Sequence, residues 1–162
     1  MSHHHIFPTQ GHDHSACVAH ALANAEEICR TRGARLTPQR RRILEIVWDS
    51  HKPIGAYDIL EILNEDNAGR AAPMTVYRGL EFLMEYGLVH RLASLNAYLG
   101  CDHPDGAHIS HFLICSNCGR AAELEDTSIE EAIRTSANQN GFSVENQLVE
   151  VEGLCPDCDS TP

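Results

Sequence analysis

Two Cys-x-x-Cys pairs, Cys115/Cys118 and Cys155/Cys158, stand in the last third of the chain. Two thiolates at that spacing on a tight turn can face one ion at about 2.3 Å, and two such pairs close a tetrahedral site. Gly119 follows the first pair, Gly153 precedes the second, and Pro156 lies inside the second turn. The 36 residues between Cys118 and Cys155 are too many for a bare zinc ribbon, so the ion would staple a small subdomain. Thioredoxin-like redox motifs are the rival reading. Such a motif stands alone at the start of a helix in a βαβ unit, and this region lacks that pattern. The residues point to structural zinc.

A second group of ligand-type side chains lies just ahead: His90, Cys101, His103, His108, His111 and Glu123, within 34 positions. A single histidine is usually an ordinary surface or core residue; this concentration argues for a ligand set. His90, Cys101, His108 and Glu123 make the best four-coordinate choice, with His103 and His111 as auxiliary candidates. Mixed nitrogen, sulfur and oxygen donors suit tetrahedral zinc, and the thiolate argues against manganese or octahedral iron. Two zinc ions per chain are therefore expected, and a third is left open.

The elements that must position these groups can be read from periodicity. Residues 1–16 form a His-rich head expected to be flexible, with His3, His4, His5, His12 and His14 inviting adventitious metal. Ser15 is placed to cap a helix running to about Arg32, with Val18, Ala21, Leu22, Ala25, Ile28 and Cys29 on one stripe. Cys17 reads as an exposed thiol or a loose metal contact beside the histidines, and Cys29 as core. Thr37-Pro38 starts a second helix carrying Ile43, Leu44, Ile46, Val47 and Trp48 to about Asp49. Ala56–Asn64 and Met74–Tyr86 read as two more, the latter stopped by Gly87. Leu88–Cys101 reads as two short strands around a Ser94/Asn96 turn. Helices followed by a hairpin are the winged-helix plan, in which the last helix enters the DNA major groove. From His111 the pattern becomes strand (His111–Cys115), strand (Ala121–Glu125), helix (Thr127 to about Asn140) and strand (Phe142–Val151). The fold class is thus α+β: a winged helix-turn-helix over residues 17–93, a wing strand and hinge over 94–103, and a small α+β, metal-binding domain over 104–162.

Charge is divided in the same way. The net charge of −11 argues against a nucleic-acid partner, but residues 1–99 hold ten Lys/Arg against eleven Asp/Glu, and residues 100–162 hold two against twelve. Six arginines fall between Arg30 and Arg42 with no acid among them. Seven cysteines, an odd number, fit a reducing compartment, and no apolar run approaches a membrane span. A cytoplasmic protein is expected, with no membrane association.

Leu36–Leu44 (LTPQRRRIL), Gly55–Leu60 (GAYDIL), Thr75–Leu83 (TVYRGLEFL), Gly87–Arg91 (GLVHR), Ile114–Gly119 (ICSNCG) and Gly153–Cys158 (GLCPDC) resemble the ferric uptake regulator (Fur) family. The resemblance covers about residues 20 to 158. The Gly55–Asp58 segment, Cys101 and the lack of a His-His-x-His run before the first cysteine pair resemble its zinc-sensing (Zur) branch. The resemblance implies a homodimer paired through the C-terminal units, reading a palindromic double-stranded DNA operator and repressing zinc-uptake genes when zinc is bound. It implies sensor ligands at His90, Cys101, His108 and Glu123 and a structural site at the four cysteines. His111 falls where iron-type members carry ligands. On DNA, Tyr77 and Arg78, with Thr75, are expected on the last helix at the bases, and Gln39, Arg40 and Tyr57 at phosphates. The same fold sensing iron, manganese or nickel is the near alternative, and a redox sensor working through the cysteine pairs a further one. A zinc enzyme, with Glu123 as base beside a catalytic ion, is the distant one; no substrate-binding motif supports it, and no small-molecule substrate is expected.

Overall fold

The computed structural model describes residues 6–7, 13–66, 71–104 and 111–159. His108 and the head histidines His3, His4, His5 and His12 lie outside the described residues. The chain divides into two compact units, one of Pro8–Ala107 and the other of His108–Pro162 together with Met1–Phe7.

The first unit opens with α1 (His14–Thr31), whose N-cap is Asp13 rather than the expected Ser15. The Asp13 carboxylate accepts from the Ser15 amide at 3.1 Å and from its hydroxyl, so Ser15 sits inside the first turn. The buried stripe Ala21, Leu22, Ala25, Ile28 and Cys29 follows the helical period, and burial pushes the Cys29 thiol up from its ordinary value. In α2 (Pro38–Val47) Thr37 caps the Arg40 amide at 3.3 Å, with Pro38 at the first position, where its missing N–H costs nothing. Next come α3 (Ala56–Asp66) and α4 (Pro73–Glu85). Gly79 lets α4 lie close on α2: a Cβ there would stand 2.4 Å from Ile43 Cδ1.

The hairpin β1 (Val89–Leu92) and β2 (Ala97–Gly100) pairs antiparallel, with Asn96 at φ +47° in the turn. Ile54 joins it through a bridge to Tyr98, exchanging hydrogen bonds of 2.9 and 2.8 Å. Gly100 accepts the Trp48 ring, which a Cβ would meet at 2.2 Å. One apolar core runs through all four helices and the wing, with Ile43, Ile59, Leu80 and Leu83 fully enclosed.

The second unit is a three-stranded sheet in the order β4-β3-β5, built from β3 (His111–Cys115), β4 (Ala121–Leu124) and β5 (Val149–Gly153), with α5 (Thr127–Gln139) as crossover and a terminal turn α6 (Pro156–Asp159). β3 pairs antiparallel with β4 and parallel with β5. The last strand is much shorter than the expected Phe142–Val151. Gly141 at φ +71° turns the chain back so that the Phe142 amide bonds the Ala137 carbonyl, and the Asn146 side chain takes the Gln147 amide at 2.8 Å. Those local bonds replace a ladder over 142–148. No residue of α5 is buried, and Ile133, Phe142, Leu148, Val151 and Leu154 stand exposed in this unit. No described helix is long and apolar enough to cross a membrane.

Candidate metal centres and nucleic-acid interface

The parallel register of β3 and β5 sets Cys115 opposite Gly153, and this brings the second cysteine pair to the first. The Ser116 amide and hydroxyl both donate to the Gly153 carbonyl, at 2.9 and 3.1 Å, pinning the two segments together. Gly119 at φ +75° turns the chain between Cys118 and β4, and α6 carries Cys158 back toward Cys155. All four sulfurs lie within 4.8 Å of one another. Cys118 and Cys155 are 3.8 Å apart, far beyond a disulfide and equal to the edge of about 3.8 Å for a tetrahedron with metal–sulfur bonds near 2.3 Å. This donor set fits zinc.

Arg120 closes over the cluster, and no reading of the sequence singled it out. Its Nε donates to Cys118 Sγ at 3.4 Å, and its Nη2 donates to Cys155 Sγ at 3.3 Å and to Asp157 Oδ2 at 2.5 Å. Four thiolates around a divalent ion leave two negative charges, which a neighbouring guanidinium offsets. Backbone hydrogen bonds from the Cys118 and Cys155 segments hold the Cys115 thiol down at about 6, and the Arg120 side chain draws Cys118 down as well. An Asn117 hydrogen bond favours ionised Cys158, but its three thiol neighbours and burial outweigh this and push it up to about 12.

In the winged-helix unit, Cys101 follows β2 and donates its amide to the Leu88 carbonyl at 3.0 Å. His90 is two residues beyond Leu88 on β1, so His90 and Cys101 form a diagonal pair on one face of the hairpin. Each offers a ligand atom within 4.8 Å of the other. Cys101 is 3% exposed, His90 is half-buried and His103 is exposed. In the second unit Glu123 is a buried carboxylate on β4. His111 on β3 is 1% exposed, and neither ring nitrogen has a hydrogen-bond partner among the described residues. An orphaned buried imidazole costs about 1–3 kcal/mol and calls for an ion or a water.

A groove of about 450 Å³ separates the starts of α2 and α4 and is bordered by Gln39, Arg40, Thr75 and Arg78. Arg78 is exposed, Tyr57 is exposed on α3 and Tyr77 is half-buried. Arg40 is partly committed to structure: its guanidinium lies 3.6 Å from the Phe82 ring centroid and bonds the Arg35 carbonyl. The acid-free arginine run is also paired from outside itself. Arg30 bonds Glu27, Arg41 bonds Glu26 and Glu45, and Arg42 bonds Glu45 and Asp66. Net positive charge is therefore lower along α2 than the run suggests.

The chain matches the ferric uptake regulator family over residues 31–152 and belongs to that family. It is 41% identical to the zinc uptake regulation protein of Escherichia coli (strain K12) over 140 residues, 85% of this chain and 80% of that protein. A solved zinc uptake regulator complexed with zinc and DNA aligns at a TM-score of 0.81 with 39% identity, covering 88% of this chain and 95% of that one. Holo XcZur aligns at 0.77 with 41% identity, covering 86% and 97%.

Proposed function

We infer that this chain is a zinc-responsive, homodimeric repressor that binds palindromic operators of zinc-uptake genes when a sensor site is filled. It is a cytoplasmic regulator and not an enzyme. The observation that carries the reading is the pairing of a four-cysteine cluster, its sulfurs within 4.8 Å of one another, with a His90/Cys101 pair on the wing, in a chain 41% identical to a zinc uptake regulation protein.

The four cysteines hold structural zinc. The sensor ion is taken by His90 and Cys101 together with His108 and Glu123, with His111 as an auxiliary ligand supported by its unsatisfied ring. Buried Cys101 supplies the thiolate that favours zinc over harder ions. His90 and Cys101 stand on the wing, so filling the site would bias the winged helices toward their DNA-binding arrangement. Their recognition helices are then held roughly 34 Å apart, one turn of DNA. Turning a mostly open population into a mostly closed one needs about 5.5 kcal/mol of differential binding, within the reach of a zinc site. Arg78, Tyr77 and Thr75 then meet bases, and Gln39, Arg40 and Tyr57 meet phosphates. The exposed apolar residues of the second unit supply the dimer contact.

Substituting Cys101→Ser should leave a dimer with its first zinc while weakening zinc-dependent operator binding by about a hundredfold or more. Unchanged repression by that variant would remove the sensor assignment. Operator binding switched by iron, manganese or nickel in place of zinc would move the protein to another branch of the family.

A further inference from the structure

A third ligand cluster lies in the winged-helix unit and shares no residue with the two centres described above. His14 and Cys17 are one helical turn apart at the start of α1, and His51 follows α2 in the connection to α3. All three are half-buried, and each offers a ligand atom within 4.8 Å of the other two. The His14 and His51 rings meet edge-on, with centroids 4.8 Å apart, and the Trp48 ring flanks His51 at 6.5 Å. Asp13, immediately before the cluster, is held by the Ser15 amide and hydroxyl, and this fixes the first turn that carries His14 and Cys17.

We propose that His14, Cys17 and His51 form a third metal site for a zinc-type divalent ion, tying the first turn of α1 to the segment after α2. Two imidazoles and a thiolate are borderline-soft donors of the kind zinc takes. Zinc with two nitrogen ligands and one sulfur ligand needs donor separations of roughly 3.3–3.6 Å, which small side-chain rotations reach from the present spacing. Trp48 gives the site an apolar wall on one side. Binding uses one lone pair from each imidazole and the Cys17 thiolate, whose proton passes to solvent. Three protein donors leave the fourth position to water, so this ion exchanges more readily than one enclosed by four thiolates. The sequence singled out His14 and Cys17 only loosely. His51 is 34 residues beyond Cys17, and the α1–α2 packing brings it to them.

The test uses the full-length dimer carrying Cys101→Ser, so that its outcome is independent of the sensor reading. Zinc chloride is added after mild chelation, and alkylation of Cys17 by iodoacetamide is followed by peptide mass spectrometry, with buried Cys29 as the control for an intact fold. Zinc should slow Cys17 alkylation by about tenfold or more. That protection should vanish in His51→Gln and in His14→Gln while Cys29 stays shielded. Cys17→Ser should bind one zinc fewer per chain. Alkylation of Cys17 indifferent to zinc, or protection that survives both histidine changes, would overturn the site. Protection lost instead when His3, His4, His5 and His12 are replaced by Ala would assign the ion to the N-terminal histidines and overturn it equally.

Discussion

The two units reach stability by different routes. The winged-helix unit encloses a continuous apolar core from Ala21 to Tyr98, in which Ile43, Ile59, Leu80 and Leu83 are sealed from solvent. In the second unit the buried apolar side chains among the described residues are Phe112, Ile114, Ala121 and Ala122, with Cys115 and Cys155 beside them. A unit of that size with four such side chains falls short of the burial that offsets chain entropy. Four sulfurs within 4.8 Å of one another are placed to take an ion that would supply part of what the core lacks, and Phe142, Leu148 and Val151 stand exposed on the same unit.

The sharpest way to break this contrast is Cys115→Ser. It should cost the second unit its zinc and its fold, with loss of the dimer in sedimentation, while the helical signal of the winged-helix unit remains. Apparent binding energies of about 10–16 kcal/mol for structural zinc in small domains set the scale. A stable zinc-free dimer would refute the metal-dependent account of this unit.

Acid should act on the same centre. The Cys115 thiol ionises lower in the folded cluster, at about 6, than at its ordinary value, so ionisation favours the folded form. That contribution is complete above the ordinary thiol range and is lost as pH falls through about 6. Zinc retention against a chelator should accordingly decline as pH is lowered from the ordinary thiol range through about 6, with the helical signal of the winged-helix unit unchanged.

Arg120→Ala probes the charge balance of the thiolates. Loss of the guanidinium beside Cys118 and Cys155 should weaken zinc binding about 10-fold to 100-fold, as removal of outer-sphere partners does, and competition with a chromophoric chelator would read it. Gly79→Ala is the mirror-image test on the other unit. Its Cβ would collide with Ile43, so thermal unfolding of the winged-helix unit should show a loss of about 1–3 kcal/mol with zinc content unchanged.

Much of this was legible in the residues. Thr37-Pro38, the helical stripes and the cysteine pairs carry strong local signals, and the cap, the helices and the hairpin stand close to where those signals put them. Misreadings arose where a short-range side chain outcompeted a pattern. Asp13 caps α1 although Ser15 is the more familiar start, and Asn146 with Gly141 dissolves residues 142–148, most of an otherwise plausible strand. Contacts between distant segments were illegible for a different reason. Arg120 over the sulfurs, Asp66 on Arg42 and His51 beside Cys17 depend on packing that no local spacing encodes.

The most direct test of the central claim is zinc titration of the chelator-treated dimer, with zinc per chain and operator binding read on the same samples. One zinc per chain should resist mild chelation, and DNA binding should rise only as the sensor zinc is added, with no rise in Cys101→Ser. DNA binding that is complete before that zinc arrives, or that rises equally in Cys101→Ser, would contradict the account.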